Sequence, residues 1–128
     1  NVAKENARIN GVFVDFERSD LFEHVDEMYD VIVSNPPYIP TKVIETLQDE
    51  VRLHDPLLAL DGTEDGLMFY RKITEKAREY LKTDGYLCYE IGAEQAADVS
   101  EIMKQAGLRD ITVVKDLAGL DRVVMGRK

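Results

Sequence analysis

The sequence is short of several features that would settle its chemistry early. Among 128 residues there is one cysteine, Cys88, and no tryptophan. A single thiol excludes an internal disulfide framework and suits a reducing cytoplasm. The two histidines, His24 and His54, lie far apart, so no metal-ligand spacing exists. No apolar run approaches the ~20 residues needed to span a bilayer. The opening Asn1-Val2-Ala3-Lys4-Glu5-Asn6 is polar and carries no secretory pattern. Basic side chains are outnumbered, 16 against 25 acidic, for a formal charge of −9. That balance disfavours non-specific attraction to nucleic acid, which rests largely on phosphate neutralisation. Eight glycines are present, yet none falls in a Gly-x-Gly pair. Internal repeats and low-complexity stretches are lacking too.

What is there describes one globular domain, 45% hydrophobic and 32% charged. Asn1 to Ile9 reads as a helix stopped by Asn10-Gly11, already under way at the first residue. Val12-Phe13-Val14 is a short β-rich run. Asp30-Val31-Ile32-Val33-Ser34 is a continuous apolar strand of the kind buried on both faces of a parallel sheet. Residues 39 to 66 form a long connection with one helical pattern, Val43, Leu47 and Val51, punctuated by Pro56, Asp61-Gly62 and Asp65-Gly66. An amphipathic helix follows, with Leu67, Tyr70, Ile73, Ala77, Tyr80 and Leu81 on one stripe, closed by Asp84-Gly85. Tyr86 to Ile91 is a strand ending at Gly92, and Ala96, Val99, Ile102, Met103 and Ala106 mark a second helix. The last strands, Ile111 to Val114 and Arg122 to Gly126, flank a turn at Gly119 and should pair as an antiparallel hairpin. The alternation predicts an open α/β sheet with a mainly parallel core.

In such sheets ligands bind beyond the carboxyl ends of strands. Asn35-Pro36-Pro37-Tyr38 occupies that place after the apolar strand. Two prolines fix φ and carry no N–H, so the segment offers carbonyl acceptors without competing donors. Asn35 adds a side-chain carbonyl, and Tyr38 a flat face for a planar group. Two acceptors converging on one NH2 group would hold both hydrogens and aim the nitrogen lone pair at an electrophile. A bare Asn-Pro-Pro is a common turn; the strand before it, the aromatic after it and the long connection turn the reading toward a site. Elsewhere, Cys88 sits mid-strand as core packing, and Glu90, ending a strand near the expected cleft, reads as lining the site or at least equally as a structural hydrogen-bonding group. Arg52 reads as a substrate-steering or ion-paired side chain. Asp15, Glu17, Glu23, Asp26, Glu27 and Asp30 form a solvated face.

Val33 to Ile39 resembles the signature of amino-methyltransferases with the class I S-adenosylmethionine fold, shared by enzymes acting on adenine, guanine and protein glutamine. The surrounding residues discriminate. Glu50-Val51-Arg52, Asp55-Pro56, Ala59-Leu60, Gly62, Asp65-Gly66-Leu67 and Tyr70-Arg71 resemble the block that follows the motif in the release-factor glutamine methyltransferase family. Glu90-Ile91-Gly92 with Gln95, and Asp116, Gly119 and Asp121-Arg122-Val123-Val124, are similar to the same family. Asp55 departs mildly, standing where the family usually has Glu.

The resemblance implies methyl transfer from S-adenosylmethionine to the side-chain amide nitrogen of the glutamine in the Gly-Gly-Gln loop of class-one peptide chain release factors. It makes Asn35 and Pro36 the catalytic acceptors, with Pro37 and Tyr38 packing on the substrate amide. It places Asp20, Leu21 and Asn35 at the cofactor, with Ser19-Asp20-Leu21 bordering the adenine. Residues 1–128 then correspond to the C-terminal portion of the catalytic domain. The glycine-rich turn, the ribose-binding acid and an N-terminal helical domain are expected upstream, and this stretch alone is expected to be inactive. An amino-methyltransferase acting on adenine or guanine of nucleic acid is the alternative, and a non-catalytic binding module a third reading. The implied strand order is three, two, one, four, five, seven, six. Strand four, Val31 to Ser34, would lack its usual neighbour, so Val12 to Val14 is expected either to re-pair beside it or to leave an edge through which the chain dimerises.

Overall fold

The computed structural model describes every residue except Gln48, together with the side chains of all the others but Glu50 and Arg52. Four strands form one sheet: β1 (Tyr29–Ser34), β2 (Leu81–Glu90), β3 (Arg109–Lys115) and β4 (Asp121–Arg127), in the order β1-β2-β4-β3. This is the order expected of strands four, five, seven and six. β1 runs parallel to β2, with Val31, Ile32, Val33 and Ser34 opposite Tyr86, Leu87, Cys88 and Tyr89. β4 pairs antiparallel with both β2 and β3, the latter as the expected hairpin. The sheet is therefore mixed, and the parallel pairing inferred from strand–helix alternation belongs to β1 and β2.

Two helices, α5 (Met68–Tyr80) and α6 (Ala96–Gln105), cover one face of the sheet. Their apolar stripes put Tyr70, Ile73 and Ala77 from α5, and Val99 and Met103 from α6, against Leu87 and Tyr89 of β2, Ile91 just beyond its end and Val124 of β4. Thr74 Oγ and the Tyr89 hydroxyl hydrogen bond at 2.7 Å inside this layer, so the core carries no cost for their burial. The hairpin turn is built by Asp116. Its carboxylate accepts the backbone N–H groups of Ala118 and Leu120 at 2.9 and 3.0 Å and pairs with Arg122 at 3.3 Å. The Leu120 and Ala118 N–H groups, aided by the guanidinium, hold the Asp116 carboxyl below the usual carboxylate range. Arg122 also donates to the Ile91 carbonyl at 3.1 Å, pinning the carboxyl end of β2.

The long connection contains three short helices where the periodicity indicated one: α2 (Thr41–Ile44), α3 (Asp49–His54) and α4 (Leu57–Leu60). Pro40 and Pro56 sit immediately before α2 and α4, where a missing N–H costs nothing.

At the other end, α1 (Val2–Ile9) has no buried residue. The Val12 N–H turns back to the Ala7 carbonyl at 3.1 Å, and residues 12 to 14 then run as exposed chain with no strand partner among the described residues; Phe13 is 92% exposed. The expected re-pairing of Val12 to Val14 with Val31 to Ser34 is thus corrected. A stretch that leaves its helix on a hydrogen-bonded turn and docks against nothing gains no ladder to offset its ordering. β1 has one hydrogen-bonded neighbour, and Val31 and Val33 project from the side of the sheet opposite α5 and α6, Val33 74% exposed. The 128-residue chain on its own is expected to self-associate through this edge, and Val33→Lys to shift it toward monomer. Light scattering across a concentration series checks both; a wild-type chain monomeric throughout would remove the edge-pairing expectation.

Candidate active site

β1 ends at Ser34, and Asn35 to Tyr38 leave the sheet at its carboxyl end. Pro36 is buried, Pro37 and Tyr38 are half-buried and Asn35 is exposed. With Ile39, Asp55, Pro56, Ala59 and Leu60, the residues Asn35, Pro36 and Tyr38 line a cleft of about 370 Å³. The wall opposite the motif is mostly apolar, and Asp55 is the charged side chain among the described residues that line it. Neither the Asn35 side-chain amide nor the Pro36 carbonyl is hydrogen-bonded to another described residue. The two acceptors singled out in the sequence thus have no partner among the described residues.

The loop is held from behind. The Ile39 N–H donates to the Leu60 carbonyl at 3.0 Å, the Gly62 N–H to the Ile39 carbonyl at 2.8 Å, and the Thr41 N–H to the Thr63 carbonyl at 3.0 Å. These bonds lay residues 60–63 beside 39–41 like a short parallel ladder. Asp61 locks it, accepting the Thr41 hydroxyl at 2.7 Å and the Thr63 N–H at 2.9 Å. Thr63 is held at φ +71, a costly conformation for a β-branched residue and one that survives only where its surroundings over-determine it. The glycines are required by contact. A Cβ at Gly62 would lie 2.7 Å from Tyr38 Cα, and one at Gly66, at φ +74, would collide with the Tyr38 carbonyl oxygen.

Behind the motif, the Tyr70 hydroxyl donates to the Glu90 carbonyl at 2.7 Å, and its ring meets Tyr89 edge-on at 5.0 Å. Burial, then the neighbouring Tyr38 and Tyr89 phenols and the Glu90 carboxylate, raise the Tyr70 hydroxyl far above its ordinary range. It stays a neutral donor and not a base. Burial likewise raises the Cys88 thiol, as suits a packing residue. His24, read as a lone histidine, uses Nδ1 on the Arg18 carbonyl at 2.7 Å and shapes its own turn.

The expected cofactor residues are only partly brought together. Asn35 lines the cleft, whereas Asp20 lines a separate depression with Arg18, Ser19, Glu23 and His24. Leu21 is exposed at φ +51, next to Phe22, whose ring stacks on Tyr80 at 4.8 Å. The chemistry of Asp20, Leu21 and Asn35 alone, a carboxylate acceptor, an apolar side chain and a carboxamide, is of the kind an adenine nucleoside would use, but the fold of this chain does not gather them in one cleft. Arg52 lies among the side chains outside the description. A groove of about 730 Å³ between α5 and α6 takes in none of the motif residues. No described helix is long and apolar enough to cross a membrane.

Comparison with known proteins follows the same lines. The methyltransferase small domain model matches residues 1–52, which include the whole motif. A release factor glutamine methyltransferase from Geobacter sulfurreducens is 46% identical over 127 residues, 98% of this chain. This chain belongs to the release factor glutamine methyltransferase family. It spans 45% of that relative's length, under half. Among solved structures, a methyltransferase from Pyrococcus furiosus superposes with a TM-score of 0.70 at 17% identity over 98% of this chain and 55% of its own, a likeness of fold. A release-factor-specific protein-(glutamine-N5) methyltransferase from Alicyclobacillus acidocaldarius is 28% identical, with a TM-score of 0.50 over 79% of this chain and 49% of its own.

The clamp of Asp61, Gly62 and Gly66 gives a physical reason for residues that the sequence offered as turn punctuation and, for Gly62 and Gly66, as part of the family pattern. Two Asp-Gly pairs within six residues were the local signal. Nothing in their spacing announces that they grip the loop at Tyr38.

Proposed function

We propose that this chain is the C-terminal portion of the catalytic domain of an enzyme that methylates the side-chain amide of glutamine in peptide chain release factors. S-adenosylmethionine would be the donor, and the setting cytoplasmic. One observation carries the reading: Asn35 and Pro36, whose side-chain amide and backbone carbonyl make no hydrogen bond to another described residue, line a cleft at the carboxyl end of β1. The family of the chain supplies the substrate class.

The chemistry suits such a site. An amide nitrogen is a poor nucleophile because its lone pair is delocalised into the carbonyl. Acceptors for both N–H hydrogens orient that nitrogen and strengthen their bonds as positive charge builds on it. Asn35 and Pro36 would hold these hydrogens, and Pro37 and Tyr38 would pack on the amide plane. Bound cofactor supplies an electrophilic methyl group. The methylated nitrogen is acidic and sheds its proton without a strong base, in keeping with Tyr70 being held neutral. Asp20 and Leu21 would border the adenine, which requires their turn to face the cleft in the complete protein. A glycine-rich turn and a ribose-binding acid would come from the rest of that protein, as would a helical domain that helps select the substrate.

The test is transfer of labelled methyl from S-adenosylmethionine by the full-length protein. Label is expected in a release factor, lost when its Gly-Gly-Gln glutamine is changed, and absent from DNA and RNA. Label in nucleic acid but not in protein would overturn the reading in favour of the adenine or guanine alternative.

A further inference from the structure

Gln95 stands at the N-cap of α6, yet its side chain makes no cap hydrogen bond to that helix. It crosses instead to two other segments and back to its own loop. Its Oε1 accepts the Gly92 N–H at 2.9 Å, at the end of β2. Its Nε2 donates to the Tyr38 carbonyl at 3.0 Å and the Gly66 carbonyl at 3.3 Å. One N–H and two carbonyls surround the group, so a single orientation of the amide satisfies all three, and neither a carboxylate nor an amine could do so.

This half-buried carboxamide is where three parts of the fold meet. The β2 end is itself fixed by Arg122 through the Ile91 carbonyl, and Gly66 closes the 60–66 clamp. The remaining arm reaches the last residue of the motif. We propose that Gln95 is a positioning residue for methyl transfer: by holding the Tyr38 carbonyl against the end of β2 it sets where the Tyr38 ring and the Asn35 and Pro36 acceptors stand in the cleft. The role rests on the amide-methylation reading above and deepens it. Gln95 touches neither substrate nor cofactor; it acts through the loop. A loop released by an ångström would keep its acceptors but lose their aim, and misplacement on that scale costs about 10²-fold in rate.

Two variants of the full-length protein test this. Gln95→Ala removes all three bonds. Gln95→Glu keeps the shape and the acceptor for Gly92 but sets a carboxylate against two carbonyl oxygens; protonated, the same group regains one donor. Crowding by those oxygens raises the introduced carboxyl above its usual value of about 4.3. Single-turnover methylation of a release factor at saturating cofactor is expected to fall roughly 10²-fold for Gln95→Ala, with cofactor affinity unchanged. The rate of Gln95→Glu relative to wild type should climb as pH falls toward its raised pKa. Amide exchange should quicken at Gly92, Ile39 and Gly62 and not in β3 or β4.

Wild-type single-turnover rates in both variants would overturn the role, even if exchange at the loop quickened. So would a rate loss accompanied by faster exchange throughout the sheet, which would make Gln95 a stabilising residue only. A wild-type enzyme that leaves release factors unmethylated would sink the parent reading instead; unchanged exchange at Ile39 and Gly62 would still overturn the clamp on its own.

Discussion

Replacing Asn35 by alanine in the full-length protein is expected to slow methyl transfer by ~10² or more, the loss typical of removing a preorganised polar group from a reacting centre. Affinity for S-adenosylmethionine should change far less. Asn35 is exposed, on a segment whose shape is set by two prolines, so its side chain contributes little to stability and the variant should fold. Asn35→Asp sharpens the expectation. Aspartate keeps an acceptor at the same place, and its charge faces N–H groups that grow more positive during transfer. It should therefore retain more activity than alanine. Single-turnover kinetics at saturating cofactor decide the matter. An unchanged rate for Asn35→Ala would remove the residue from its assigned role.

Gly66→Ala should be nearly as damaging, by a different route. At φ +74 any side chain pays roughly 1–2 kcal/mol for the left-handed backbone. The added methyl also meets the Tyr38 carbonyl oxygen, a backbone atom that cannot swing aside as a side-chain tip could. Relief requires the 60–66 segment to part from the motif, which breaks the hydrogen bond from Gln95 to Tyr38 or that to Gly66. The expected outcome is a stability loss of about 2 kcal/mol or more by denaturant titration, with methylation lost even where the protein is fully folded. Gly11→Ala is the control: it too has positive φ, but no atom lies within contact range of its added Cβ. It should show the backbone cost alone and leave activity intact. Similar losses in both variants would show that the contact with Tyr38 contributes nothing.

Those features divide the residues by how far their sequence signals carry. The strand ending at Ser34 was legible because a continuous apolar run has few other destinations, and α5 because Tyr70, Ile73 and Ala77 repeat at helical spacing. The hairpin was legible from two β-rich runs around Gly119. The start of β2 at Leu81, five residues before the apparent strand at Tyr86, was not. Lys82, Thr83 and Asp84 are exposed and carry no alternation, and only Leu81, opposite Tyr29 across a register shift, pairs this stretch with the neighbouring strand. Val12 to Val14 has strand composition but no partner, and composition cannot supply one. In the site, Asn35 to Tyr38 stood out through the apolar strand before it, the aromatic at its end and the long connection after it. Gln95 entered only as one residue of a family pattern and without a role, because its work is done by a side chain reaching across 57 residues of sequence to a backbone carbonyl. Asp20 illustrates the converse, since a family pattern can name a residue that the local fold sets in a different depression.

The span of 57 residues also bears on the order in which the protein comes together. The turn at Asp116 to Leu120 closes within five residues, so β3 and β4 can zip early, with α6 beside them. β1 joins β2 only after the whole α2–α5 segment has been looped out, which makes it a late event. The motif waits longer still, because its anchors arrive from the end of β1, the loop before α5 and the start of α6. A chain with its hairpin and helices in place, and hence most of its secondary structure, would not yet possess the cleft. Methylation would then report the final step of folding, where a spectroscopic signal of helix and sheet would already have levelled off.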